Sequence, residues 1–174
     1  MMTMLTGRGS LCEPASSRFC WREYLPGYDV ALCPVTRDRR TGQAFFERVE
    51  AGALQAYTSV LTFDELAYRL ILALVAERYG GLPLDVLREQ EVTVLREIVP
   101  PVRTALEQLT RLPNLHVVEV VADDLFVMTE SMERCQLRPR DALHYAVMVR
   151  LGCLNIASRD AHFDRIPAVT RYVP

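Results

Sequence analysis

Short apolar runs alternate with helical patterns along most of this sequence, and that alternation limits the fold more than any other feature. "YDVALCPV", "ALQAYTSVL", "NLHVVEVV" and "CLNIAS" each read as a buried strand, brief and apolar at successive positions. Between and around them lie stretches with helical spacing, such as "TGQAFFERVEAG" and "ADDLFVMTESMERC". Strands that are apolar on both faces and separated by helices belong to parallel sheets covered on both sides. The expectation is therefore α/β: a three-layer α/β/α sandwich with a central, mainly parallel sheet of four or five strands. Residues 1–22 show no periodicity and read as a tail, disordered or diverged, ahead of a single domain at 23–174.

Local signals give the helix limits. Thr62 and Glu65 have the spacing of a capping box, so a long helix is expected from Thr62 with Gly80 beyond its end. Pro100 and Pro101 read as a stop between two helices, "LDVLREQEVTVLREIV" and "PVRTALEQLTRL". Pro139 opens and Gly152 closes a further helix, "PRDALHYAVMVRL".

Composition removes several function classes. Half of the 174 residues are apolar and 24% are charged, which suits one folded core. The longest apolar run, "LILALVA", is too short to cross a bilayer, and the N-terminus lacks the apolar centre of a signal peptide. A soluble, cytoplasmic protein with no membrane partner is expected. The five cysteines are scattered without a CxxC, which suggests neither a zinc ribbon nor a disulfide framework; Cys33 and Cys153 read as core residues. The three histidines form no HExxH, and neither GxGxxG nor GxxxxGK occurs. A net charge of −2 argues against a bulk polyanion binder. All 20 basic residues are arginine, with clusters at Arg37/Arg39/Arg40 and Arg134/Arg138/Arg140.

Parallel sheets carry their chemistry beyond the carboxyl ends of the strands. Acidic residues gather at those places in the expected fold. Asp160 follows the strand "CLNIAS", Glu65 lies in the first turn of the helix after "ALQAYTSVL", and Asp141 heads the helix before "CLNIAS". Asp29 lies near the start of the first strand. Taken singly, each has an ordinary explanation as a helix cap or a turn aspartate, and so does Asp164. Together they repel one another unless a cation neutralises them. Oxygen ligands without a His/Cys cluster favour Mg²⁺ or Mn²⁺.

"LRPRDALHYAVMVRLGCLNIASRDAHFDRI" resembles the C-terminal half of a PIN domain, the nuclease fold of VapC-type toxins, and "TSVLTFDELAYRL" resembles the segment that bears its helix glutamate. The resemblance runs from about Leu25 to Val173. It implies a PIN-like fold with an acidic site at Glu65, Asp141 and Asp160, Asp164 being peripheral. His144, one turn after Asp141, gains no catalytic role from it and reads as packing or a structural hydrogen bond. The first strand departs from the family's pattern. Aligned without a gap, Gly27 falls where the family has its metal-binding aspartate, and Asp29 stands two residues on. Residues two apart on a strand share a face, but the carboxylate starts ~6–7 Å further along. Asp29 serves as a ligand only after a short register shift.

The resemblance implies a Mg²⁺- or Mn²⁺-dependent endoribonuclease, the toxin of a VapBC-type toxin–antitoxin pair. It would hydrolyse a phosphodiester of RNA of the tRNA or rRNA class with a metal-activated water. Arg138, Arg140 and Arg159 would seat the RNA backbone. A small antitoxin and a homodimer are the implied protein partners. The competing reading, supported by Gly27, is a catalytically degenerate PIN domain that binds RNA or protein.

Overall fold

The computed structural model describes residues 18–21 and 39–173, with side chains from residue 44 onward. The strand expected at "YDVALCPV" lies outside the described residues, as do Gly27, Asp29 and Cys33. The first described strand is β1, Arg18–Trp21, inside the stretch read from sequence as a tail. The elements then run α1 (Arg39–Glu50), β2 (Gln55–Ser59), α2 (Val60–Tyr79), α3 (Pro83–Thr110), β3 (Leu115–Val118), α4 (Asp124–Cys135), α5 (Pro139–Leu151), β4 (Asn155–Ala157), a 3-10 turn (Ala161–Arg165) and β5 (Thr170–Tyr172).

Every strand pairing among the described residues is parallel. β2 pairs with β3 and β4 with β5, while β1 lies between β2 and β4, matching Phe19 to Ala56 and Trp21 to Ala157. Successive side chains on a strand point to opposite faces, and two separate cores show this. Tyr57 and Ile156 join the core built with Ala142 and Met148 of α5 and Phe163. Their neighbours Ala56 and Ala157 pack instead with Val49 and Phe46 of α1. Helices therefore lie against both faces of the strands. Cys153 is buried in the first of these cores, as the sequence indicates. No described helix is long and apolar enough to cross a membrane.

Two helix boundaries differ from the sequence reading. α2 begins at Val60, with Ser59 as its N-cap residue, and Thr62 makes no capping hydrogen bond. The capping box is thus not formed, and Glu65 falls in the second turn rather than the first. The side chains of Ser59 and Thr62 are both buried where the strand turns directly into helix, so neither is placed to serve an exposed helix end.

The second difference is larger. Pro100 and Pro101 do not stop a helix; α3 runs through them, and its one non-helical residue is Gln90. Prolines inside a helix remove backbone hydrogen bonds and cost about 3 kcal/mol or more. The buried stripe Val94, Ile98, Val102, Ala105 and Leu109 crosses the proline pair at helical spacing. Val94 through Ala105 pack on Leu70, Leu74 and Val75 of α2. Each large side chain so buried contributes about 1.5–3 kcal/mol, which together outweighs the broken bonds. Thr104 also donates to the carbonyl of Pro100 at 3.1 Å.

β5 was not expected from sequence. It has three residues, none of them buried, and lies at the edge beside β4. Gly152 closes α5 in the left-handed conformation (φ 61°), as its position after the apolar run indicates.

Candidate metal centre

Because the strands are parallel, their carboxyl ends meet at one edge, and the candidate acids collect there. Ser59 ends β2 and leads straight into α2, whose second turn carries Glu65. Ala157 ends β4, and the chain then passes the buried Ser158 to Asp160. α5 contributes Asp141 from its first turn, where the helix dipole favours a carboxylate.

Glu65 and Asp141 are nearly inaccessible, at 6% and 3% of their full exposure. α5 joins them. Asp141 and His144 are three residues apart and so share a helix face. His144 Nε2 stands 3.3 Å from Glu65 Oε2. Arg140, next to Asp141, brings Nη1 to 3.7 Å from Glu65 Oε1 and Nη2 to 4.0 Å from Asp64. Those separations are too long for hydrogen bonds, and the Arg140 side chain is 60% exposed. It lies at the mouth of the group as a cation held only loosely.

Asp160 is fixed by its turn. Its own N–H donates to Ser158 Oγ at 3.0 Å, and its Oδ1 accepts from the backbone N–H of His162 at 2.9 Å. This folds the His162 ring back over the acids. Nδ1 of His162 lies 2.9 Å from Asp160 Oδ1 and 3.6 Å from Asp141 Oδ2. Asp141, Asp160 and His162 each offer one ligand atom, and these atoms all lie within 4.8 Å of one another.

The remaining candidates are placed differently. Asp164 is bound elsewhere, forming a two-pronged bond with Arg171 (Nε and Nη2 at 2.7 Å each) that ties the 3-10 turn to β5. Arg171 also donates to the carbonyl of Ser158 at 3.2 Å. Arg138 is the exposed N-cap residue of α5, and Arg159 is half-buried between Ser158 and Asp160. Asp29 lies outside the described residues.

The hydrogen bond from Arg171 is the main reason that the Asp164 carboxyl sits below the usual carboxylate range. A carboxyl whose pKa is depressed on folding stabilises the fold above its unfolded pKa. That contribution is lost as the pH falls through the folded value. Asp164→Asn is therefore expected to lower the melting temperature at neutral pH, with the difference from the parent closing in acid. Melting curves from neutral pH down to about pH 2 would check this. A constant difference at all pH values would contradict it.

The sequence profile of the PIN domain matches residues 30–169. The chain belongs to the PIN domain family. Its PIN fold is also similar to a chain in the crystal structure of VapBC2 from Rickettsia felis bound to a DNA fragment from their promoter. The TM-score is 0.53 at 12% identity, over 89% of this chain and 97% of that one. At such low identity the likeness concerns the fold. No curated protein sequence matches the chain.

Of the acids singled out from sequence, Asp141 and Asp160 are brought together with His162, and Glu65 adjoins through α5. The sequence reading missed His162. Its only signal was a position two residues after Asp160, a spacing without meaning until the turn is known. His144, read from sequence as packing or a structural hydrogen bond, lies beside Glu65, a partner its spacing to Asp141 did not indicate.

Proposed function

We propose that this PIN domain is a Mg²⁺- or Mn²⁺-dependent endoribonuclease, the toxin of a VapBC-type pair. The observation that carries the reading is the convergence of Asp141, Asp160 and His162 donor atoms within 4.8 Å, beside the buried Glu65, in a chain of this family. The donor set suits such an ion. Carboxylate oxygens are hard ligands, and several buried or half-buried carboxylates at one strand edge are mutually repulsive unless a cation joins them. Asp141, Asp160 and Glu65 are the residues that would hold it.

A bound divalent cation would polarise the phosphoryl group and acidify an attacking water. The chain's own residues supply the rest. α5 holds Asp141 rigidly, its carboxylate favoured by the dipole of the helix start. Ser158 and the His162 N–H fix the orientation of Asp160. His144 holds Glu65 from one side, and the nearby Arg140 guanidinium offsets part of the negative charge without a hydrogen bond to it. Arg140 can turn toward a phosphate because its present contacts are longer than hydrogen bonds and its own side chain is 60% exposed. With Arg138 and Arg159 it would seat the RNA backbone, so binding should weaken with added salt.

Four further readings complete the proposal. The substrate is RNA of the tRNA or rRNA class. The two strand pairs joined through β1 act as one central five-stranded sheet, in a domain at 23–174 to which the preceding segment lends β1. The protein works in the cytoplasm. Its partners are a small antitoxin and a second copy of the chain, for which Tyr68, Leu82 and Leu84, all at least half exposed, supply apolar surface.

The test is cleavage of a mixed tRNA and single-stranded RNA pool by purified protein freed of any antitoxin. Cleavage is expected with Mn²⁺ or Mg²⁺ and is expected to stop when a chelator removes the ion. Folded protein that leaves every RNA intact in saturating Mn²⁺ would defeat the enzyme reading for these substrates. RNA retention without cleavage would then favour the binding module.

A further inference from the structure

His162 is the part of this site that neither its charge nor its sequence position explains. Its Nδ1 is buried among the side chains, although the ring as a whole is partly exposed. It approaches Asp160 Oδ1 to 2.9 Å, a hydrogen-bonding distance, yet makes no hydrogen bond to it or to any other described residue. The in-plane direction of the nitrogen misses the oxygen. That oxygen already accepts from the backbone N–H of the same histidine. An ordinary histidine–aspartate bond is thus not what holds the ring.

The separations fit another arrangement. Neighbouring ligands around a six-coordinate ion with bonds near 2.1 Å lie about 3 Å apart, and opposite ligands about 4.2 Å apart. Nδ1 stands 2.9 Å and 3.6 Å from the two carboxylate oxygens, and Asp141, Asp160 and His162 each offer a ligand atom within 4.8 Å of the others. The two Nδ1 separations are those of donors that share one ion. Three different segments carry them or fix them: the start of α5, the end of β4, and the first turn of the 3-10 helix.

We propose that His162 is a metal ligand through Nδ1, completing the set begun by Asp141 and Asp160. An imidazole nitrogen beside two carboxylates favours Mn²⁺ over Mg²⁺, because Mg²⁺ gains little from nitrogen donors. The inference rests on the metal-dependent reading above and refines it. The site is a mixed nitrogen–oxygen site selective for Mn²⁺.

The experiment is pulsed electron paramagnetic resonance of Mn²⁺ added to the full chain, with Mg²⁺ as competitor. Parent protein, His162→Ala, His144→Ala and Asp141→Asn are compared, each checked for its fold by circular dichroism. The expected result is a nitrogen coupling of directly bound imidazole in the parent and in His144→Ala, absent from His162→Ala. Mn²⁺ affinity should fall by about tenfold in His162→Ala, and Mg²⁺ affinity by less than about threefold.

Mn²⁺ that binds in an Asp141-dependent way without nitrogen coupling would overturn the inference and leave the carboxylate site standing. So would a coupling that survives in His162→Ala. Parent protein that binds no Mn²⁺ would overturn the metal reading itself. The measurement on the parent does not depend on any variant folding.

Discussion

Asp141→Asn is expected to reduce metal-dependent RNA cleavage by about 10³-fold while leaving the fold intact. The substitution keeps the shape of a side chain that is only 3% exposed and removes its charge. It takes away an oxygen donor from the centre of the proposed metal group. It also relieves repulsion among the acids when no metal is bound, so the metal-free protein should melt no lower than the parent. Mn²⁺ at a hundred times its dissociation constant should stabilise the parent by about 2.7 kcal/mol. That gain should disappear in Asp141→Asn. Cleavage assays and melting curves with and without Mn²⁺ together separate loss of a ligand from loss of structure. A variant that cuts RNA within tenfold of the parent would remove Asp141 from the chemistry.

The largest expected loss of stability lies elsewhere, at Arg150. Asp124, at the start of α4, is 2% exposed and accepts from Arg150 Nε at 2.9 Å and Nη2 at 3.2 Å, and from the Val121 N–H at 2.9 Å. Arg150 Nη2 also donates to the carbonyl of Glu119 at 2.6 Å. One guanidinium in the last turn of α5 thereby fastens the start of α4 and the segment before it. Its bond with Asp124 is the main reason that the Arg150 guanidinium holds its proton even more firmly than usual. Removing one member of a buried ion pair costs roughly 3–5 kcal/mol, because the other charge is left behind. Arg150 remains 32% exposed, so water relieves part of that cost, and Arg150→Ala should lose about 3 kcal/mol. Adding Asp124→Asn to Arg150→Ala should restore part of the loss, since the orphaned charge then goes. Urea unfolding of the two single variants and the double variant measures the coupling. Strictly additive losses would show that the two residues act separately.

The elements that were legible in the sequence are those whose burial leaves a periodic trace. β2, β3 and β4 stood out as apolar runs, and α5 announced both ends through Pro139 and Gly152. β5 left no such trace, because Thr170, Arg171 and Tyr172 lie at an edge and none is buried. Pro100 and Pro101 misled because local backbone chemistry argued for a stop. A stripe of side chains packing on a distant helix decided otherwise. Thr62 and Glu65 had the spacing of a cap, but the strand runs into the helix without an exposed end to cap.

The same division holds at the site. Asp141, Asp160 and Glu65 could be picked out because each has a recognisable place relative to a strand or helix. His162 could not, because its role depends on how one turn folds over another segment. Asp164 was visible as an acid near the others, but its two-pronged bond with Arg171 exists only once β5 has formed.

The parallel order of the strands has a consequence for when this protein can act. Glu65 and His144 meet across 79 positions of sequence, and the turn holding Asp160 comes later still. No fragment that stops short of the span from Glu65 to Asp160 contains all three acids. Any cutting ability would therefore arise abruptly, with the last docking of α5 and the turn after β4 onto α2, rather than growing with the length of the chain. A cell making such an enzyme would face it only as a finished object. A partner that recognises finished surface would meet the enzyme at the moment it becomes dangerous.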